Sequence, residues 1–372
     1  RDNYSIFPLQ TRFFQNALTQ SDQLRQRVAW TLSQILVVSD NFQAQPLQSY
    51  QRILYDNAFG NYRDILYKVT LSPAMGRYLN MVNNSKPYGN QRPNENYARE
   101  LLQLFSIGQV KLNPDGTPVL EGGVPVPTYG QKEIEGFAYV FTGWTYPALP
   151  GKTAKFYSPA YYVGDMTAIA SEHATTTKLL LNGVTLPADQ TPDKDLNDAI
   201  DNVFNHPNVG PFLGKLLIQQ LVTSNPGPEY ISRVSAAFNN NGKGVRGDMQ
   251  AVVRAILLDP EARGEAKTAT NYGHLKEPAL YMLNFLRAMG AKTDGVVMRY
   301  FTDVLDQEIF ASPSVFNYYP PDYSLAAEKI LAPEFAIHNS STALERTNIM
   351  QGLIFYRPAI YDQAQDKYIY PY

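Results

Sequence analysis

Arg92-Pro93-Asn94-Glu95-Asn96-Tyr97-Ala98-Arg99-Glu100-Leu101-Leu102-Gln103-Leu104-Phe105-Ser106-Ile107-Gly108 concentrates two acids, an arginine and two asparagines in the seven residues Asn94 to Glu100, ahead of an apolar run that a glycine closes. Pro93 or Asn94 is placed to open a helix, and Tyr97, Leu101, Leu104 and Phe105 recur at the spacing of a helical core face. Gly108 supplies the stop. Glu95 and Arg99 are four residues apart, as are Asn96 and Glu100, so the polar groups line strips beside the core stripe. The stretch reads as a core helix with charge gathered at its start.

The same periodicity continues outward. Leu24, Val28, Leu32, Ile35 and Leu36 share a helical face, with Ser21 or Asp22 as cap. Pro46 opens a second helix, Ile65, Leu66 and Val69 mark a third, and Ser72-Pro73 reads as cap and first turn of a fourth. Beyond the opening stretch, helices are expected at 131–142, 195–205, 211–223, 228–240, 247–258, 278–289 and 339–355. Residues 109–128 hold Pro and Gly with Val between them, which predicts a loop or hairpin. Residues 145–192 read as irregular, with β-like pieces at 155–157 and 161–163. The expected fold is mainly α: a multi-helix globular domain over 1–372, with irregular or short-β insertions around 109–128 and 145–192. Its sub-parts would be a helical half over 1–144, the 145–192 insertion, and a second helical half over 193–372.

Composition narrows the function. Lys+Arg is 32 and Asp+Glu is 34, which gives no basic footprint for nucleic acid. Charged residues make up only 18%, whereas Tyr numbers 26, so a surface rich in Tyr, Asn, Gln and Thr is expected, as on exported proteins. There is no cysteine, hence no disulfide and no thiolate chemistry. No apolar run reaches the 18 residues or so that a transmembrane helix needs. The sequence opens at Arg1 without a signal-peptide pattern, which reads as a mature or trimmed form.

Asn94-Glu95-Asn96-Tyr97-Ala98-Arg99-Glu100-Leu101, the aromatic-Thr-Gly-Trp at Phe141 to Trp144, and Arg25-Gln26-Arg27-Val28-Ala29 with Leu32-Ser33-Gln34 together resemble the DUF1800 family. Ser72-Pro73-Ala74-Met75 with Tyr78-Leu79, His206-Pro207, Lys276-Glu277-Pro278, Ser314 to Tyr323 and Ala332-Pro333-Glu334-Phe335 fit the same pattern. The resemblance spans about residues 20–355. It implies a large bacterial protein, extracellular or periplasmic, often encoded beside a sulfatase-like exported partner. It supplies no established activity.

Two readings of the polar residues stand side by side. In the first, Glu95 and Glu100 form a carboxylate pair at a cleft, Arg99 orients them, and His173 joins them as an acid/base or metal group. Asn94, Asn96, Trp144, Tyr161 and Tyr162 would then bind substrate, the aromatic rings serving with Tyr157 as a carbohydrate platform. In the second, Glu95 and Glu100 belong to an ion-pair network against Arg25 or Arg27, Asn94 caps the helix, and Trp144 fills the core. No His-Glu-X-X-His spacing occurs, so no cofactor or metal identity follows. Asn317 to Tyr323 reads as a packing strap, and Gly242 to Gly247 as a helix–helix turn that only superficially resembles a phosphate loop. The functional expectation is an exported scaffold that assembles as a homo-oligomer or with an exported protein partner. The alternative is an enzyme or binding protein acting on extracellular polysaccharide, or another envelope polymer, through the acid/Arg cluster.

Overall fold

The computed structural model describes residues 5–39, 44–325, 330–356, 360–362 and 367–369. These form helices α1 (Phe7–Thr19), α2 (Gln23–Ile35), α3 (Ala44–Asp56), α4 (Tyr62–Leu71), α5 (Pro73–Tyr78), α6 (Asn96–Gln103), α7 (Gln131–Val140), α8 (Pro192–Phe204), α9 (Val209–Leu221), α10 (Pro228–Asn239), α11 (Met249–Leu258), α12 (Pro260–Arg263), α13 (Pro278–Ala288), α14 (Val296–Val304) and α15 (Ser340–Gln351). Strands occur only as short antiparallel pairs: β1 (Leu120–Glu121) with β2 (Val124–Pro125), β3 (Trp144–Thr145) with β4 (Thr167–Ala168), and β5 (Lys178–Leu179) with β6 (Thr185–Leu186). Two more join β7 (Ser324–Leu325) to β8 (Ile330–Leu331) and β9 (Ile360–Asp362) to β10 (Lys367–Ile369). The protein is mainly α with small β insertions, as its periodicity predicts.

The chain divides into two compact units. A terminal unit gathers Arg1–Arg27, Ser39–Ala44 and His274–Tyr372; a central unit takes Val28–Val38 and Gln45–Gly273. The boundaries differ from the sub-parts read from the sequence because both ends of the chain serve one unit.

In the central unit, α9, α10 and α11 pack on one another, α4 packs on α8, and α7 packs on both α6 and α8. Tyrosine is core material here. Tyr50, Tyr62, Tyr97 and Tyr230 are buried, and three of their hydroxyls donate to the backbone carbonyls of Leu36, Phe105 and Ile256. The hydroxyl of Tyr97 bonds Thr70 Oγ1 at 2.6 Å. Each ring thus contributes apolar contact while its polar end is satisfied. Others, such as Tyr88, Tyr157 and Tyr300, stand on the surface.

The insertions are fastened at defined points. Gly136, midway along α7, lets the helix lie against β5: a Cβ there would stand 1.8 Å from the carbonyl oxygen of Leu179. The 109–128 segment forms the expected hairpin, held at its base by Asn208. That side chain donates to the carbonyls of Ile107 and Val110 and accepts from the Leu112 amide. No strand forms at 155–157 or 161–163. Tyr157 adopts a left-handed turn with φ +62, stabilised by a bond from the Ser158 amide to the Lys155 carbonyl, and strands occupy 144–145 and 167–168 instead. Between α10 and α11, the amides of residues 242–245 all bond the side chains of Asn240 and Asn241. They are committed to the turn itself and not to a phosphate.

In the terminal unit, α1 packs on α13 and α14, and α14 on α15. The buried Gln10 donates to the Ile309 carbonyl and to Glu308. The strap around Asn317 to Tyr323 is pinned from within: Tyr318 donates to the Glu308 carbonyl and Tyr319 to Glu277 Oε2 at 2.6 Å.

Candidate functional site

Helix α6 begins at Asn96, later than Pro93 or Asn94, because Asn94 is held outside it. The Asn94 side chain accepts the Asn96 amide at 2.9 Å, while its own backbone is bonded in both directions by the Asn84 side chain. Asn94 therefore works as a turn residue and Asn96 lies exposed on the first turn. The helix ends when the Gly108 amide reaches back to the Leu102 carbonyl with φ +70.

The two carboxylates of the motif are differentiated by their surroundings. Glu95 Oε2 accepts from Arg99 at 2.9 Å and Glu95 Oε1 from Gln131 of α7 at 2.9 Å, both toward solvent. Glu100 turns inward. Its Oε2 is buried and finds no hydrogen-bond partner among the described residues. Burial pushes its carboxyl above the ordinary range, with only Arg99 opposing. Tyr129 lies beside both: burial lifts its hydroxyl to about 12, Arg99 pulls down and Glu100 pushes up. Tyr129 Oη is likewise buried and unpartnered among the described residues. Tyr78, also half-buried, is raised to about 12 by burial and by Glu100. The guanidinium that serves Glu95 and Glu100 is thus Arg99 of the motif itself. In the terminal unit, Arg27 lies beside Glu277, Tyr319 and Glu334.

His173 belongs to a separate network. It is 1% exposed; its Nδ1 donates to the Thr142 carbonyl at 2.9 Å, and its Nε2 bonds Asp195 Oδ2 at 2.9 Å. The same oxygen takes Lys178 Nζ at 2.6 Å, and Asp195 Oδ1 takes Gln190 at 2.7 Å. Lys178 also donates to the carbonyls of Ala174 and Thr176. Burial alone would raise the Asp195 carboxyl, but the bonds from His173, Lys178 and Gln190 outweigh it and hold it low. Both nitrogens of His173 face acceptors, so the ring fastens the insertion to α7 and α8. The expected meeting of His173 with Glu95 and Glu100 in a metal cluster is corrected: no three His, Cys, Asp or Glu among the described residues are grouped to hold a metal ion.

The profile of a family described as a protein of unknown function (DUF1800) matches residues 2–368. The chain belongs to the DUF1800 family. No curated protein and no solved structure matches it. Of the residues that mark this chain as DUF1800, Asn94 to Leu101 build the α6 site, while Thr142-Gly143-Trp144 builds the His173 anchor. Gly143, at φ +84, passes so close to His173 and Ile169 that a Cβ would meet their backbone at 3.0 Å. Trp144 is 2% exposed with Nε1 buried and unpartnered among the described residues, and Tyr162 is buried with its hydroxyl bonded by Arg77. Neither offers an open ring face. Tyr161 is half-buried, and Tyr157 stands 70% exposed.

Sequence reading did not single out Tyr129, Gln131, Lys178 or Asp195. Asp195 sits in the first turn of α8 behind a Thr191 cap, where an acid reads as complementing the helix dipole. Tyr129 closes a loop with no periodicity to place it.

Proposed function

We propose that this protein is an exported bacterial interaction scaffold that assembles with itself or an exported partner, using the Glu95–Glu100 face of α6 as a recognition point. Glu100 Oε2 and Tyr129 Oη carry the reading: two buried polar atoms, neighbours in space, without hydrogen-bond partners among the described residues. Each such atom costs about 1–3 kcal/mol. A hydroxyl or amide from a binding partner would satisfy both, since it can donate to the carboxylate and accept from the phenol. Export rests on the low charge, the absence of cysteine and the family resemblance. A cleft enzyme built on Glu95, Glu100 and His173 is the weaker reading, because His173 has both nitrogens engaged in a buried network.

Polysaccharide binding is supported by one further observation. Tyr157 is exposed yet held in a left-handed turn, its amide bonded to Asn83 Oδ1, which also anchors Thr145. Glu100→Gln and Tyr129→Phe keep the shape of the site and remove its polar complementarity. We expect both variants to fold with unchanged circular dichroism and to weaken self-association, or retention on envelope polysaccharide, by about tenfold. Sedimentation velocity and a polysaccharide pull-down read the two cases. Binding at wild-type strength in both variants would refute the site, and a protein that neither self-associates nor retains an exported partner protein or polysaccharide would refute the function.

A further inference from the structure

The terminal unit contains a buried arginine whose best binding face is unused. Arg346 of α15 is 8% exposed. Its Nη1 donates to the Lys276 carbonyl at 3.1 Å, and its guanidinium lies 5.1 Å from the centre of the Tyr281 ring. Those two contacts fix the plane of the group. Nε and Nη2, the parallel N–H pair on its side-on edge, are both buried and have no hydrogen-bond partner among the described residues. Burial depresses the guanidinium, and the only neighbouring group that opposes this is Tyr281, so no carboxylate compensates the charge.

His338 lies close enough to Arg346 to feel its charge. It follows the turn Pro333–Ile337, and its ring stands edge-on to Phe335. Its Nδ1 is also buried and unpartnered among the described residues. Burial and Arg346 keep the imidazole below its ordinary value, hence neutral at neutral pH. The neighbourhood therefore holds one fixed positive charge, a preformed two-pronged donor and one neutral ring nitrogen that can donate.

We infer that Arg346 and His338 form a binding site for a carboxylate-bearing ligand, the carboxylate seated side-on against Nε and Nη2 of Arg346. A planar group with two oxygens matches the parallel N–H pair, which is the arginine geometry suited to bidentate recognition. The seated carboxylate supplies the one negative charge that balances the single guanidinium. The site lies wholly within the terminal unit and is independent of the α6 face.

The full chain is titrated with acetate and succinate, and separately with inorganic phosphate, ionic strength being matched with sodium chloride. Melting temperature and calorimetric titration are read. Succinate or acetate should raise the melting temperature saturably. Arg346→Lys, which keeps the charge and loses the fork, should weaken binding by about tenfold or more. Arg346→Gln should abolish it. If Arg346→Gln fails to fold, Arg346→Lys and His338→Ala carry the test, and both must weaken binding. A carboxylate shift no larger than that of chloride, a shift unchanged in Arg346→Lys, or saturable binding of phosphate in preference to both carboxylates would each overturn the assignment.

Discussion

The Asp195 carboxylate shows how a single residue holds an insertion in place. It balances Lys178 and fixes His173 where none of the three side chains reaches water. Removing it leaves a buried ammonium without a counter-charge, so Asp195→Asn is expected to cost about 3–5 kcal/mol in urea denaturation. Two further residues predict opposite pH behaviour. Buried His206 is depressed from 6.5 to about 4 by burial, Lys111 and Arg246, so the unfolded chain takes a proton near 6.5 that the fold refuses. Stability should therefore fall as pH drops from about 6.5 toward 4. Asp195, held low, extends the loss below that range. Glu100 has the reverse sign. Its raised value means its contribution is fullest in acid and is lost as pH rises through the carboxylate range. Glu100→Gln should then melt higher than wild type at pH 8 and no higher at pH 4, by differential scanning fluorimetry. A stability gain on removing a charged side chain is what a binding residue, and not a structural one, would give. The polar content of this site was legible in Asn94 to Glu100. The inward turn of Glu100 was not, because two residues on one helix face can be separated only by what packs over them.

Among the elements, α7 bears the closest approach. Its glycine at 136 looks like a helix weakness in sequence, worth about 1 kcal/mol against alanine. In the fold the residue faces the Leu179 carbonyl, and Gly136→Ala should destabilise by more than about 2 kcal/mol despite the better propensity. Equilibrium unfolding measures the sign directly. Helix positions along the chain were legible because their apolar spacing is local: α4, α6, α7 and α8 to α11 lie where the periodicity places them. Helix α1, helix α14 and the strand pairs beyond the 109–128 hairpin were not, the strands because such short pairs carry no period of their own. Their register comes from partners such as Thr167 for Thr145, which only the folded chain supplies.

At the scale of the molecule, the boundary between the units runs through α2, between Arg27 and Val28. No described helix is long and apolar enough to cross a membrane. By itself the sequence determined the mainly α class, most helix positions, the family and the segment where its polar motif concentrates, since all of these are written in spacing and residue type along the chain. Only the tertiary structure decided that His173 is an anchor sealed against Asp195 and Lys178, that Glu100 meets Tyr129, and that Arg346 keeps an unpaired edge. Burial and charge partnership are set by residues distant in sequence, and no local pattern encodes which of them meet.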